Sequence, residues 1–132
     1  MVRYLTGDEL RSLHRQLFAM ESRPVPPELH QGCADGTAAQ PAAGFAGQDH
    51  YPTLAEKAAA YAWFAAMKHC FEDGNKRLAA VAMIVFLGAN GLVLADSVRP
   101  TMLAQKIQDV AAKRCSLAAL ALWIAPRMVR VS

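Results

Sequence analysis

Nine consecutive residues, 69–77, combine side chains that could act together on a phosphate group: His-Cys-Phe-Glu-Asp-Gly-Asn-Lys-Arg. Five of the seven charged residues between positions 53 and 95 fall within positions 68–77, and apolar helical patterns lie on either side. Because unpaired buried charge is very costly, such a cluster is either solvated or functional. The order of residue types favours function.

The second half of this run predicts an anion-binding helix start. Gly74 permits a positive φ just before a helix, and Asn75, Lys76 and Arg77 would form the first turn. Free backbone N–H groups and the positive end of the helix macrodipole attract phosphate there. Lys76 adds a point charge and Arg77 a bidentate donor fork. These four residues are the predicted nucleotide- and phosphate-binding set.

Two further side chains complete the predicted chemistry. Asp73 offers the hard oxygen ligand that Mg²⁺ on a polyphosphate requires. His69 is the predicted catalytic base, because a histidine can accept a proton from an attacking hydroxyl near neutral pH. Each residue alone is more often structural, since histidines end helices and Gly-Asn forms turns. The nine in this order indicate phosphoryl or nucleotidyl transfer.

The pattern His-x-Phe-x-Asp-Gly-Asn-Lys-Arg resembles the signature of the Fic/Doc superfamily. Lys76 resembles the death-on-curing (Doc) toxin branch, whereas AMP-transferring Fic enzymes usually carry glycine there. The lead-in at 51–59 and the later Phe86-Leu87-x-x-Asn90-Gly91 are also similar to Doc. The resemblance covers about residues 5–124.

This resemblance implies one Fic/Doc-like domain over residues 1–132. The expected fold is all-α: five or six helices around a central helix at about 75–89, with a loop or short flap at about 30–52. The site would lie in a cleft at the N-terminus of the central helix. In relatives a hairpin-like flap lines the site, and residues 45–51 would form it here. The segment 32–41 lacks the leucine-rich short helix of relatives and looks shortened, so a mobile loop remains the alternative.

The resemblance also implies a toxin of a toxin–antitoxin pair. With ATP and Mg²⁺, it would transfer phosphate to a Ser or Thr hydroxyl of a target protein, a translation elongation factor, and arrest growth. A cognate antitoxin would be its partner. Two alternatives stay open: AMP transfer by the same residues, and a non-catalytic relative that only binds a partner. Lys76 counts against the first because a long cation would crowd the α-phosphate, and the intact motif counts against the second.

Composition narrows the class of protein. The 132 residues are 54% hydrophobic with a net charge of +3, which predicts a single folded domain without a basic arm for nucleic acid. No signal peptide is visible, and the longest apolar run, 78–87, is too short to span a bilayer. Three widely spaced cysteines predict neither a disulfide framework nor a zinc site and suit a reducing cytoplasm.

Periodicity predicts helices at about 8–20, 54–68, 99–113 and 117–125, and a fifth at 78–87 that is buried all round. Thr6 and Glu9, and again Thr53 and Glu56, have the spacing of a capping box. His14 is expected at the surface or half-buried. Residues 22–52 hold five of the seven prolines and four of the eight glycines, so regular helix is not expected through most of that segment. Residues 92–94 are predicted as an extended link and the tail after Pro126 as frayed.

Overall fold

A computed structural model describes residues 1–131, and its architecture is all-α, as the sequence predicts. The six α-helices of the described chain are α1 (Gly7–Ala19), α2 (Cys33–Ala39), α3 (Leu54–Lys68), α4 (Asn75–Ala89), α5 (Pro100–Ala111) and α6 (Leu117–Ile124). Two antiparallel pairs of short strands join them: β1 (Gly44–Phe45) with β2 (Gln48–Asp49), and β3 (Leu92–Leu94) with β4 (Met128–Arg130). Within these residues no helix is long and apolar enough to cross a membrane.

Helices α3 and α4 form the centre of the core. Alanines 58, 59 and 62 of α3 are fully buried, and their small side chains let neighbouring helices pack closely. Phe86 of α4 packs against the ring of Tyr61. The Tyr61 hydroxyl accepts a hydrogen bond from Leu5 N (2.7 Å) and so ties the N-terminal segment to α3. Burial raises the pKa of Tyr61 to about 12.

The predicted helix starts are largely confirmed. Thr6 and Glu9 form the full capping box: each side chain accepts from the other's backbone N–H, at 3.1 and 3.0 Å. At α3 only half of the predicted box forms. Glu56 N donates to the Thr53 hydroxyl (3.1 Å), but the Glu56 carboxylate accepts from that same hydroxyl instead of the backbone N–H.

The glycine- and proline-rich segment is more regular than predicted, and the expectation of no helix is wrong at α2. Contacts distant in sequence stabilise this helix: Arg11 of α1 bonds to Asp35 (2.7 Å), and Glu28 accepts from Ala34 N (3.0 Å). Local propensity does not report such contacts.

A flap also forms where the resemblance places one. Strands β1 and β2 pair with Gly44 opposite Asp49 and Phe45 opposite Gln48. The buried side chain of Lys57 holds the hairpin to α3 by donating to Asp49 Oδ2 (3.0 Å) and to the Tyr51 carbonyl. Burial of Lys57 lowers its pKa, but the hydrogen bonds to Asp49 and Tyr4 outweigh it, so the net shift is upward.

Helix α4 is not buried all round, contrary to prediction. Its Ile84 is 47% exposed and faces an open groove of about 630 Å³ between α4, β3 and α5. The groove is mainly apolar, with Lys76 and Arg77 at the α4 end.

The prediction of a frayed tail is also wrong. Strand β4 pairs along β3 with Leu92 opposite Arg130 and Leu94 opposite Met128. The Arg127 guanidinium lies over the Trp123 ring, 4.8 Å from its centre, and donates to the Trp123 carbonyl. The segment 92–94, predicted as an extended link, therefore pairs with a second strand, which its sequence does not predict.

The expectation of no disulfide is wrong as well, because Cys33 and Cys70 are bonded. The fold brings the first residue of α2 against the residue that follows His69, with the two Cα atoms 5.4 Å apart. The two cysteines are 37 positions apart in the sequence, so no local pattern shows that they pair. Cys115 is free and buried.

An ion cluster around Arg11 fixes the segment that leads into α2. Its guanidinium contacts Glu28 (2.8 Å), Asp35 (2.7 Å) and Asp8 (2.9 Å). Glu28 also forms an isolated β-bridge with Phe71 of the candidate site. Hydrogen bonding from Arg11 lowers the pKa of Glu28 despite its partial burial.

We predict that Glu28→Gln lowers the free energy of unfolding at pH 7 by about 1.5–3 kcal/mol, the range for a hydrogen bond to a charged group. Because the pKa of Glu28 is lower in the folded state, its contribution is complete above the ordinary glutamate pKa and is lost as pH falls through the lowered one. The variant should therefore lose less stability than wild type between pH 5 and pH 3. Urea unfolding at each pH measures this.

Asp8→Asn is the control. The Asp8 carboxylate pairs with the same arginine but is 94% exposed, so its substitution should change the free energy of unfolding little. If the free energies of unfolding of Glu28→Gln and wild type fell in parallel with pH, Glu28 would not have a lowered pKa in the folded state.

Candidate active site

The structure gathers every predicted site residue around one pocket of about 430 Å³. His69, Asp73, Gly74, Asn75, Lys76 and Arg77 all line it. Glu72 and three α5-side residues, Gln108, Ala111 and Ala112, complete the wall. The end of α3 supplies the histidine and the start of α4 supplies the cations.

Gly74 sets the geometry of the turn between these helices. It is the N-cap of α4 in a left-handed conformation, with φ 88°. A Cβ built on Gly74 would lie 2.7 Å from Phe18 Cε2 and 3.3 Å from His14 Nε2. Both the backbone conformation and the close approach of α1 therefore require glycine.

His14 is a site residue that the sequence did not reveal, and the prediction that it is at the surface or half-buried is wrong. It is 1% exposed, and its Nε2 hydrogen-bonds the Asp73 carbonyl at 2.8 Å. Its ring stacks on Phe71 with the centroids 3.8 Å apart. His14 thus holds the site loop against α1 through its bond to Asp73, which lies 59 positions away in the sequence.

The Asn75 side chain serves the loop itself. Its Oδ1 accepts from Phe71 N (3.1 Å) and its Nδ2 donates to Phe71 O (2.8 Å). With Oδ1 and one Nδ2 hydrogen occupied, Asn75 can present its backbone amide and the second Nδ2 hydrogen to an anion. This clamp explains why an asparagine follows the glycine.

The first turn of α4 offers unpaired backbone donors. Leu78 N bonds to Gly74 O at 2.9 Å, so the ordinary helix bonding begins there. Within residues 1–131 the N–H groups of Asn75, Lys76 and Arg77 have no hydrogen-bond acceptor. Three amides at the positive end of a helix dipole form an anion site.

The two cations flank these amides. Lys76 is exposed and donates to Gln108 Oε1 (3.1 Å) across the pocket. Arg77 is turned toward Glu21, whose carboxylate accepts at 2.9 Å, and lies over the Phe18 ring. The Arg77 guanidinium holds the pKa of Glu21 below its usual value. Because such exposed ion pairs contribute little free energy, a phosphate could replace Glu21 as the partner of Arg77 at a small cost in free energy.

Asp73 can hold a magnesium ion only with help from a substrate. Its Oδ1 accepts from Gly74 N (2.7 Å), and its Oδ2 faces Arg23 at 3.4 Å. Among the described residues no cluster of three or more potential ligands exists. A single exposed carboxylate fits Mg²⁺, which commonly takes one or two carboxylates and completes its shell with phosphate oxygens and water.

His69 ends α3 in a left-handed conformation, with φ 50° and ψ 50°. A residue with a Cβ is strained in this region. The conformation ends the helix and leaves the imidazole exposed at the pocket. Such strain is often found where a side chain must be presented in a defined direction.

Comparison with known proteins agrees with this geometry. Residues 4–87 match the family described as the Fic/DOC family. The chain belongs to the Fic/DOC family. It is also 37% identical over 94 residues to a protein named Toxin Doc from Mycolicibacterium smegmatis, a match that covers 71% of this chain and 72% of that protein.

The resemblance read from residues 69–77 is therefore confirmed at the level of the family. The Fic/DOC match ends at residue 87, which is within α4. It thus includes the whole site loop and the first turn of α4. Helix α5, which supplies Gln108 to the pocket, lies beyond it.

We predict that Gly74→Ala lowers the free energy of unfolding by about 2–4 kcal/mol, from backbone strain of about 1–2 kcal/mol plus overpacking against Phe18. Gly91→Ala separates the two effects, because Gly91 has φ 77° but nothing within 4 Å of the added Cβ. Gly88→Ala, inside α4 with open space, should be neutral or stabilising. Chemical denaturation of the three variants measures this. Equal losses for Gly74→Ala and Gly91→Ala would show that Phe18 and His14 do not require glycine.

Proposed function

We propose that this chain is a Doc-type toxin that transfers the γ-phosphoryl group of ATP to a Ser or Thr hydroxyl of a target protein. The observation that carries the proposal is the start of α4. Three unpaired amides, Lys76 and Arg77 meet there at one pocket with the exposed imidazole of His69. An anion site beside a base suits a reaction in which positioning and charge stabilisation supply most of the catalysis.

In the proposed reaction, the end of α3 would supply the base and the start of α4 would stabilise the phosphates. The target hydroxyl oxygen would bond to the γ-phosphorus while the bond from that phosphorus to the β,γ-bridging oxygen breaks. His69 would take the hydroxyl proton, and ADP would leave. The α4 amides and both cations would offset the charge on the transferring group. Asp73 would hold Mg²⁺, which supplies further charge neutralisation on the phosphates.

Lys76 favours phosphate transfer over AMP transfer. Its side chain crosses the pocket to Gln108 of α5 and occupies space that glycine would leave open beside the helix start. A long cation there can clamp a terminal phosphate but crowds an α-phosphate.

The family resemblance also leads us to propose binding partners and a cellular location for the chain. We propose that the chain acts as one domain in the cytoplasm. Its target would be a translation elongation factor, its effect growth arrest, and a cognate antitoxin would neutralise it. The name of the Mycolicibacterium smegmatis relative, Toxin Doc, supports a toxin with an antitoxin partner. Nucleic acid and membrane are not among the proposed partners.

The test uses ATP labelled either on the γ-phosphate or on the adenine, with magnesium and a cell lysate as the source of target. Wild type should transfer the γ-label to a protein band and leave the adenine label free. His69→Ala should lower the rate by about 100-fold or more, since general-base catalysis contributes about 10²–10⁴-fold. The labelled band identifies the target.

His30→Ala is the matched control, because His30 is an exposed histidine that lies outside the pocket and outside the β1–β2 flap. It should transfer at the wild-type rate. Transfer of the adenine label by wild type would replace the proposal with AMP transfer. Transfer of the γ-label by His69→Ala at the wild-type rate would remove His69 as the base.

A further inference from the structure

We propose that Cys33 and Cys70 form a redox-controlled latch that sets the position of His69. Cys70 is the residue directly after His69, and its disulfide partner is the first residue of α2. A reversible covalent bond thus joins the base's own loop to the segment that continues into the flap. The rate readout below relies on the proposed phosphotransfer, whereas the thiol and imidazole readouts do not.

The disulfide is placed where it can govern His69. The His69 backbone lies in the strained left-handed region, so its conformation depends on how its neighbours are held. On the far side of Cys70, Phe71 is fixed by the Asn75 clamp and by stacking on His14. Cys70 itself is held by the disulfide, by one backbone bond from Leu29 N to Cys70 O (2.7 Å), and by a contact of its sulfur with the Thr37 hydroxyl of α2 (3.4 Å).

The segment around Cys33 is anchored firmly enough to act as the fixed end of a latch. Glu28 accepts from Ala34 N and bonds to Arg11, which also binds Asp35. These contacts join α2 to α1 without the disulfide. Reduction should therefore release Cys70 and His69 while α2 stays in place.

The two sulfurs differ in access. Cys33 is half-buried, whereas Cys70 is 4% exposed. A reductant would therefore reach the disulfide from the Cys33 side. Because intracellular disulfides in reducing compartments are usually transient and often redox-sensing, a pair beside a catalytic base fits regulation better than permanent bracing.

The exchange balances with a dithiol reductant as co-reactant. One thiolate of the reductant attacks the Cys33 sulfur, the Cys33–Cys70 bond breaks, and Cys70 leaves as a thiolate that takes up a proton. The second reductant thiol then attacks the mixed disulfide and releases the Cys33 thiol. The reductant ends as its own disulfide, and the cysteine pair has gained two electrons and two protons.

The expected effect is a fall in transfer rate on reduction. A catalytic base must be held close to its productive position, and a misplacement of about 1 Å can cost about 100-fold. Because the Leu29 bond to Cys70 persists after reduction, we expect a smaller loss, about tenfold. Oxidation of the pair would then switch the protein to its more active form.

The experiment compares wild-type protein oxidised in air with the same protein reduced by dithiothreitol and then reoxidised. Thiol counting in denaturant should find one free thiol before reduction, from Cys115, and three after it. Transfer of the γ-label should fall about tenfold and recover on reoxidation, at a temperature where circular dichroism shows both forms folded. The ¹H–¹³C signal of the His69 imidazole, assigned by its loss in His69→Ala, should move with the redox state.

Two serine variants complete the design. Cys33→Ser should have the transfer rate and the His69 signal of reduced wild type, with or without dithiothreitol. Cys115→Ser should match wild type in both redox states. Three free thiols in the air-oxidised protein, an unfolded reduced form, or an unchanged His69 signal would overturn the latch, as would a measurable rate of γ-label transfer that does not fall on reduction. If neither form transfers label while the His69 signal follows the redox state, the proposed phosphotransfer fails and the latch stands.

Discussion

The left-handed turn at Gly74 is the constraint on which the rest of the structure depends. It turns the chain from the end of α3 into α4 within a few residues, while α1 packs against it so closely that no Cβ fits beside Phe18. The same turn places the first three residues of α4 at the wall of the pocket. The core requires α4 to be largely apolar, and the site requires its first turn to be polar. The junction between the two falls at residues 77 and 78, an arginine followed by a fully apolar stretch.

The charges of the site are balanced within the chain. Cations at the start of a helix oppose its dipole, and the structure offsets this with Glu21 against Arg77. Arg23 similarly faces the Asp73 carboxylate. Each of these pairs is exposed and weak. A triphosphate with magnesium supplies the same kinds of partner, an anion for Arg77 and a cation for Asp73, so binding would exchange one set of charge pairs for another.

Sequence predicted the features that depend on neighbouring residues. The order Asp-Gly-Asn-Lys-Arg located the start of α4, and the Thr-x-x-Glu spacing located α1 and α3. It missed features that arise from distant contacts. His14 looked like a surface residue because its partner, Asp73, lies 59 positions away. Helix α2, the β3–β4 pair and the Cys33–Cys70 bond depend likewise on residues that only folding brings together. The prediction that α4 is buried all round is wrong at Ile84, because an apolar run does not show which face of a helix is left uncovered.

Backbone amide spectra test most directly the proposal that the start of α4 binds a nucleotide's phosphates. A ¹H–¹⁵N titration with magnesium and a non-hydrolysable ATP analogue reports on each amide separately. We predict saturable shifts at Asn75, Lys76 and Arg77, with smaller shifts along the later turns of α4. Binding that shifts the apolar groove of β3 and α5 but leaves those three amides unchanged would contradict it.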